Sequence, residues 1–425
     1  MKSLAALFRV LGLILLLAAV PVDGLTNSGV STISVPLKAS GNVNSHTTIL
    51  IQSDADFATC ACVSGGDGTQ ANPYIIGPWA INGDSGPGVA VDGTSLTKSF
   101  VLWNLTIAGH GGSGTQGIVL KNINPAGMRS IVAQVKGSQT SINSEEVGIV
   151  VEASNYVTLD GGGANPNGPG ISAAGAGTIN KQISGSIDIE NSSHILVTGW
   201  QLSASGLSIQ PDWITLDPTT ATWGVGGVRF FGVTNSTIDH IAVNNCTDVS
   251  ISLFNSSNNT VSNNTADYPF TMNFIVANGS SYNQVVNNVA GTGDFIGYLV
   301  ADPLPGTWTL QQFGPSHDNQ FIGNSSVADG ATGNEVHSGV DPAFTGGFVV
   351  LNGTYNNVLT NNHASSFVWA QAVPDNTSPI GVVSYPPTLY CNVSASEGGG
   401  GISNYNGNSW TGNTAKIVAP CVPNK

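Results

Sequence analysis

The fold is decided by a short recurring stretch, read first as Asn259-Thr-Val-Ser-Asn-Asn-Thr-Ala266 and again as Asn283-Gln-Val-Val-Asn-Asn-Val-Ala290. Three further copies read Asn319-Gln-Phe-Ile-Gly-Asn324, Asn357-Val-Leu-Thr-Asn-Asn-His-Ala364 and Asn408-Ser-Trp-Thr-Gly-Asn-Thr-Ala415. Each copy has an asparagine, an apolar residue two positions later, and a second asparagine five positions after the first. Successive copies start 24, 36, 38 and 51 residues apart. A repeat of this length predicts a solenoid with insertions between its later coils.

Short alternating segments choose between the types of solenoid. Phe100–Ile107 alternates in polarity and is rich in residues that favour strands, as are Tyr156–Leu159 and Ile195–Val197. Glycine and asparagine clusters separate these segments, and no stretch resembles a ten-residue amphipathic helix. Strands that recur without helices between them predict an all-β fold. We expect a right-handed, single-stranded parallel β-helix with N- and C-terminal caps.

The repeated asparagines have a structural explanation in such a fold. Asparagine tolerates left-handed backbone angles better than most residues other than glycine, which suits the sharp turns between strands. Stacked from coil to coil, their amides can also donate to and accept from one another. We therefore predict asparagine ladders, with the apolar residue of each copy pointing into the stack.

Composition excludes several other classes of protein. The chain has 425 residues, of which 40% are hydrophobic, 8% are charged and 54 are glycine. A disordered chain would be poorer in apolar residues, and a helical bundle would not tolerate this much glycine. The net charge is −14, with only 11 Lys and Arg. Nucleic acid is therefore a poor partner, because phosphate binding needs clustered basic residues.

The N-terminus reads as a secretory signal over residues 1–24, with Lys2 and Arg9 before a largely apolar run. No later apolar stretch is long enough for a membrane span in the mature chain. The expected location is extracellular or on the cell surface, or periplasmic in a Gram-negative host. The predicted organisation is a cap over 25–65, a β-helix over 66–415 and a tail over 416–425. Insertions are expected near 200–230, 291–316 and 330–350.

Outside the cell the five cysteines are expected to form disulfides. Cys391 and Cys421 bracket the C-terminal 35 residues and are the predicted pair, closing the C-terminal cap. Cys60 and Cys62 are separated by one residue, a spacing that argues against a bridge between them. The odd count leaves at least one thiol free or paired between chains.

Twelve Asn-x-Ser/Thr sequons also occur along the chain. Their asparagines are Asn104, Asn191, Asn235, Asn245, Asn255, Asn258, Asn263, Asn278, Asn324, Asn352, Asn376 and Asn392. The richness in serine and threonine accounts for most of them, so the sequence leaves open whether any carries a glycan.

One stretch near the N-terminus resembles a known family. Residues 66–82 read Gly-Asp-Gly-Thr-Gln-Ala-Asn-Pro-Tyr-Ile-Ile-Gly-Pro-Trp-Ala-Ile-Asn and precede the strand at Phe100–Ile107. They resemble the opening of NosD-like proteins, which share the pectate-lyase type of parallel β-helix with PbH1 repeats. This resemblance implies copper-site assembly, a surface role, or the binding or cleavage of carbohydrate. Copper handling would use clustered His, Met or Cys, whereas this chain has three Met and scattered His.

A carbohydrate-cleaving β-helix needs carboxylates on one face of neighbouring coils. Asp188 and Asp212 are 24 residues apart and Asp239 follows 27 later, so these three are the catalytic candidates. Trp213, Trp223 and His240 lie in the same region and are candidates for contacts with a sugar. A pectate lyase is disfavoured, because no lyase-like motif surrounds the two arginines that follow the signal, Arg129 and Arg229.

Two groups of possible metal ligands are set aside, so neither a metal nor another cofactor is predicted. Glu335-x-His337 with Asp341, and His317-Asp318, occur in glycine-rich segments and are interpreted as solvated loop residues. The leading functional hypothesis is a noncatalytic protein that binds a polysaccharide or cell-surface glycan, or that is a structural part of the cell surface. The alternatives are a glycoside hydrolase acting on a neutral polysaccharide and a NosD-like copper-site assembly factor.

Overall fold

A computed structural model of the chain describes eighteen stretches of residues. They are 44–82, 86–108, 116–137, 141–144, 147–162, 170–173, 178–179, 182–183, 187–203, 225–246, 249–269, 272–291, 296–301, 313–326, 346–350, 354–367, 391–392 and 407–417. The chain divides into two compact units, Met1–Gly41 and Asn42–Lys425, and every described residue belongs to the second. The expected signal, Cys421 of the expected Cys391–Cys421 pair and most of the expected insertions lie outside the described residues.

The described chain is almost entirely β-structure, arranged in three long sheets. Sheet I contains the strands Asn44–His46, Trp79–Asn82, Thr106–Ala108, Ser141–Ser144, Gly170–Ala173, Gln201–Ser203, Ala242–Cys246, Thr265–Pro269, Val289–Ala290, Ser325–Ser326, His363–Phe367 and Thr414–Ile417. Sheet II contains Val63–Gly65, Tyr74–Ile76, Phe100–Trp103, Ala133–Lys136, Val157–Asp160, Leu196–Thr198, Thr237–Asp239, Thr260–Ser262, Gln284–Val286, Gln320–Ile322, Val358–Thr360 and Ser409–Thr411. Sheet III contains Ile49–Ile51, Val89–Asp92, Gln116–Lys121, Val147–Glu152, Ile187–Glu190, Val225–Phe231, Val249–Phe254, Met272–Ala277, Ile296–Val300, Gly346–Val350 and Cys391–Asn392.

The chain passes through sheet III, sheet II and sheet I in turn. Each pass adds one strand to each sheet, except that the first adds both Val63–Gly65 and Tyr74–Ile76 to sheet II. The strands Phe100–Trp103 and Ala133–Lys136, for example, are parallel neighbours in sheet II. Two neighbouring pairs within the three sheets are antiparallel, Val63–Gly65 with Tyr74–Ile76 and Gly346–Val350 with Cys391–Asn392. A separate hairpin joins Thr178–Ile179 to Gln182–Ile183. The architecture is an all-β parallel solenoid, as the repeat predicted.

The sheets begin earlier than the sequence suggested. Asn44–His46 already pairs with Trp79–Asn82 in sheet I, and Ile49–Ile51 pairs with Val89–Asp92 in sheet III. The segment expected to be a cap thus supplies the first strand of each of the three sheets, since Val63–Gly65 is the first strand of sheet II. Its strands were missed because they are three residues long, too short for a period-two pattern to stand out.

A short helix, Asp54–Thr59, follows these first strands, and a 3-10 turn occurs at Gly93–Ser95. Ser53 and Asp56 form a capping box at the start of the helix. Phe57 is its buried residue, with its ring 4.9 Å from that of Tyr74. The helix therefore covers apolar side chains of the first coils.

The solenoid is filled by the inward-facing residues of all three sheets. Val261, Val285, Phe321 and Leu359, the apolar residues of four copies of the repeat, are all buried in one core cluster. Phe274, Tyr298 and Phe348 stack in successive coils, with ring centroids 4.7 and 4.5 Å apart. The predicted inward direction of the repeat's apolar residue is confirmed at these four positions.

Two buried asparagine ladders run beside this core. The first consists of Asn259, Asn283, Asn319, Asn357 and Asn408, and the second of Asn264, Asn288, Asn324, Asn362 and Asn413. Asn283 shows the pattern, because its Oδ1 accepts from both the backbone N–H and the Nδ2 of Asn259, each at 3.0 Å. Its Nδ2 donates to the carbonyl of Ser256 and to Oδ1 of Asn319. All the hydrogen-bonding capacity of the buried amide is used, as predicted for a ladder.

The residue before each ladder asparagine takes the left-handed conformation. Among the described residues these are Asn258, Asn263, Tyr282, Asn287, Asp318, Gly323, Asn356, Asn361, Gly407 and Gly412. In the pair Asn287-Asn288, the first residue has φ 54° and is exposed, while the second is buried in the ladder. The two predicted roles of asparagine, the left-handed turn and the amide ladder, are therefore divided between neighbouring residues.

Cys60 and Cys62 form a disulfide, contrary to the expectation from their spacing. Their Cα atoms are 5.0 Å apart, within the usual range of about 4.4–6.8 Å. Cys60 leaves the short helix in an extended conformation and Ala61 lies in a turn, which brings the two sulfurs together. No helix in the described part of the chain is long and apolar enough to cross a membrane.

Candidate functional site

The catalytic candidate Asp188 lies on the outer side of sheet III, where it is fully buried in an ion cluster. Its neighbour in the next coil is Arg229, which is 2% exposed. The guanidinium donates to both carboxylate oxygens of Asp188, from Nε at 2.8 Å and from Nη2 at 2.7 Å. Nη2 also contacts Glu190. A carboxylate held in this way has no access to a substrate.

The charge balance of this cluster sets the protonation of Glu190. Burial, together with the nearby negative charge of Asp188, raises the pKa of Glu190 to about 7. Arg229 acts in the opposite direction but is shared between the two carboxylates. Lys121 and Glu152 form a further ion pair at 2.6 Å on the same sheet.

The second candidate, Asp239, lies on the outer side of sheet II, in register with Thr198 and Ser262 of the neighbouring coils. Its carboxylate accepts from the Ser262 hydroxyl at 2.7 Å and from the Asn263 amide at 2.9 Å, and lies 2.5 Å from Nδ1 of His240. Burial alone would raise the pKa of Asp239, but these hydrogen bonds outweigh it and hold the pKa below its ordinary value.

The described candidates are therefore not brought together. Asp188 and Asp239 belong to different sheets, and the hydrogen-bonded, ionised Asp239 is not suited to act as a general acid. His240 lies beside Asp239 with its side chain 60% exposed. Asp212, Trp213 and Trp223 lie outside the described residues.

One other carboxylate, that of Asp160, shares a face of sheet II with Asp239. Asp160 is in register with Thr198, and Thr198 with Asp239, so the two acids stand two coils and about 9–10 Å apart. Asp160 lies 3.5 Å from Lys136 of the preceding coil, whereas Asp239 bonds to the following coil. The two carboxylates are thus engaged by different neighbours, which does not favour an acid–base pair.

A different group of side chains lies further along sheet II and at the corner before it, and its members range from half-buried to exposed. It consists of Tyr282, Gln284, His317, Gln320 and Tyr355, and we call it the ring patch. The His317 ring stacks on Tyr355 at 4.7 Å and meets the edge of Tyr282 at 5.6 Å. Gln284 and Gln320 face each other in register on the adjoining strands, and both are exposed.

The repeat itself positions the ring patch. Tyr282 occupies the left-handed turn before the ladder residue Asn283, with φ 56° and a 57% exposed side chain. The backbone of His317 forms parallel β-bridges with Ser281 and Tyr355 of the neighbouring coils. His317 therefore belongs to the solenoid, whereas the sequence predicted a solvated loop. Its Nδ1 lies 2.7 Å from the Asp318 carboxylate, which fixes the orientation of the ring.

Sequence reasoning missed the ring patch, although a signal was present. Tyr282, His317 and Tyr355 each stand one or two residues before a ladder asparagine, so the repeat places them at the same corner of neighbouring coils. The described residues contain no group of three or more potential metal ligands. Glu335, His337 and Asp341 lie outside them.

Comparisons with known proteins give no family. No protein-family model and no curated protein matches the chain. One similar solved structure is DFA-IIIase from Arthrobacter chlorophenolicus A6 in complex with GF2, with 11% identity and a TM-score of 0.42, covering 89% of this chain and 85% of that one. The same enzyme without its lid has 13% identity and a TM-score of 0.38 over 68% of this chain. That match spans 65% of the other chain, slightly less than two thirds. At these TM-scores neither likeness identifies an activity for this chain.

Proposed function

We propose that the protein is a secreted, noncatalytic, right-handed β-helix of the NosD-like kind that binds a neutral glycan through the ring patch. The observation that carries the proposal is the ring patch itself. The exposed Tyr282 ring and the half-buried rings of His317 and Tyr355 stand beside two exposed amides, Gln284 and Gln320. An aromatic ring next to uncharged donors and acceptors suits a ligand that has both apolar and hydroxyl surface.

The low charge of the patch supports a neutral ligand. Gln284 and Gln320 each offer two donors and an acceptor without charge, which suits sugar hydroxyls. The nearby acid Asp318 is engaged with His317, and no lysine or arginine belongs to the patch. A polyanionic glycan would lack basic partners here.

The binding site is tested by electrophoresis through native gels that contain dissolved neutral polysaccharides. The chain is made in a host without glycosylation, and we expect at least one polysaccharide to retard it. The Tyr282→Ala variant should lose about tenfold in affinity, equivalent to about 1.4 kcal/mol. Leu50→Ala is the matched control, because Leu50 is 60% exposed on sheet III and lies outside the patch. Equal retardation of the two variants, or no retardation of the wild type, would overturn the proposal.

The noncatalytic part of the proposal is tested on the same polysaccharides. The buried Asp188 and the ionised Asp239 provide no general acid, so we expect no release of reducing ends. Release that is abolished in Asp239→Asn would instead establish the glycoside hydrolase alternative.

A further inference from the structure

The fold sorts the sequons into two phases. In the outward phase, the asparagine and the hydroxyl residue two positions later both face solvent, while the residue between them is buried. Among the described sequons, this holds for Asn191-Ser-Ser193, Asn235-Ser-Thr237, Asn258-Asn-Thr260 and Asn263-Asn-Thr265, with middle residues Ser192, Ser236, Asn259 and Asn264 at most 3% exposed. Asn255-Ser-Ser257 has the same phase but is only half-exposed, and Asn104-Leu-Thr106 has it with an asparagine that is 8% exposed.

The inward phase makes a sequon unusable in the folded molecule. Asn278 is 5% exposed and its partner Ser280 is fully buried. Asn324 is 1% exposed, and its Nδ2 donates to the Val285 carbonyl at 2.8 Å and to Asn362 at 3.0 Å. A sugar on Asn324 would need the space and the hydrogen bonds of the second ladder.

The four outward asparagines share one backbone geometry. Asn191, Asn235, Asn258 and Asn263 have φ between 47° and 57° and lie at tight turns, Asn191 directly after a strand of sheet III and the others beside strands of sheet II. The inward Asn278 has a similar φ of 53°, so exposure, not φ, separates the two phases. Their side chains are exposed. Asn263 uses one amide hydrogen to donate to Asp239, and a substituted amide would keep that hydrogen.

We propose that Asn191, Asn235, Asn258 and Asn263 are acceptors for N-linked glycans. The donor is a lipid-linked oligosaccharide diphosphate, supplied with its transferase by the host. The asparagine Nδ2 forms a bond to C1 of the sugar, and the bond from C1 to the diphosphate oxygen breaks. The amide gives one proton to a base of the transferase, and the lipid diphosphate leaves with the electron pair of the broken bond.

The spacing of the coils limits how many glycans one molecule carries. Asn235 and Asn258 occupy equivalent corners of neighbouring coils, with the Asn235 N–H donating to the carbonyl of Ser257 at 3.2 Å. Their Cα atoms are therefore separated by roughly the 4.8 Å between parallel strands. A glycan on one shields the other, so we expect partial occupancy at both.

The test is secretion of the full chain from a eukaryotic host, followed by peptide mapping after enzymatic removal of N-glycans, which converts each modified asparagine to aspartate. We expect this conversion at the four outward asparagines and none at Asn278 or Asn324. Ser193→Ala, Thr237→Ala, Thr260→Ala and Thr265→Ala each leave the asparagine in place and should abolish modification of that asparagine alone.

Matched controls come from the inward sequons. Ser280→Ala and Ser326→Ala destroy those sequons without altering Asn278 or Asn324, and should leave the glycan pattern of the secreted protein unchanged. Modification of Asn278 or Asn324 in folded protein would overturn the proposal. So would a folded, secreted protein whose four outward asparagines are all unmodified.

Discussion

At the scale of single residues, two adjacent asparagines in the repeat have different structural roles in the solenoid. One sits in a left-handed turn exposed to water, and the other is buried with every donor and acceptor occupied. The ladder residue Asn288 accepts from the N–H and Nδ2 of Asn264 and donates to Val261 and Asn324. Its turn neighbour Asn287 needs only a residue that tolerates φ 54°.

Substitution of the ladder asparagine should therefore be far more damaging than substitution of the turn asparagine. We expect Asn288→Ala to lower the free energy of unfolding by at least about 3 kcal/mol, because several buried donors and acceptors lose their partner. Asn287→Gly should change it by less than about 1 kcal/mol, since glycine adopts this φ freely. Chemical denaturation followed by far-UV circular dichroism compares the two variants, and equal losses would contradict the distinction.

At the scale of elements, sheets II and III differ in the side chains on their outer faces. Sheet II presents hydroxyl and amide side chains to solvent, whereas sheet III buries the cluster of Asp188, Glu190 and Arg229 on its outer side. Paired buried charges do not necessarily stabilise a fold, but removal of one partner leaves an uncompensated charge.

The ion cluster should respond strongly to loss of its cation. We expect Arg229→Met to destabilise the protein by about 3–5 kcal/mol, because two buried carboxylates lose their partner. The combined variant Asp188→Asn, Glu190→Gln, Arg229→Met should recover much of that loss. Thermal unfolding of both variants measures this, and failure of the combined variant to recover would show that side-chain packing, not charge, is decisive.

The raised pKa of Glu190 also predicts a pH dependence. The folded protein holds the proton on the Glu190 carboxyl more tightly than the unfolded chain does, because the ordinary pKa of this carboxyl is 4.5. The stabilising contribution is therefore complete below that value and is lost as pH rises through about 7. Between about pH 5.5 and about pH 8.5 we expect a loss on the order of 1–2 kcal/mol, shown by denaturation midpoints. Glu190→Gln should remove this loss, and Asp160→Asn on sheet II should retain it.

At the scale of the whole molecule, the strands of each described coil pair with those of the coils before and after it. Stability in such a solenoid is close to a sum of coil and interface contributions. The damage from a ladder substitution should therefore stay local. In Asn288→Ala, amide hydrogen exchange should quicken about tenfold or more in Thr260–Ser262 and Gln320–Ile322. Protection of Phe100–Trp103 should not change, and a uniform loss along the chain would exclude this behaviour.

The same scale shows what could be predicted from the sequence. The solenoid, both ladders and the inward apolar residues followed from the repeat, because each copy of the repeat carries the same hydrogen bonds. The partner of Asp188 did not follow. Spacing alone placed Asp188 with Asp212, but Asp188 pairs in register with Arg229, 41 residues later. Where insertions change the coil length, residue spacing no longer identifies which side chains become neighbours.

The ladders have a further consequence for engineering. Their hydrogen bonds join residues 24, 36, 38 and 51 positions apart with nearly the same geometry, at 2.9–3.0 Å between Nδ2 and Oδ1. The length of chain between coils is therefore decoupled from the pitch of the stack. A foreign peptide grafted between two coils should be displayed at a fixed position along the solenoid axis. The distance between two grafted epitopes would then be set by the number of coils between them.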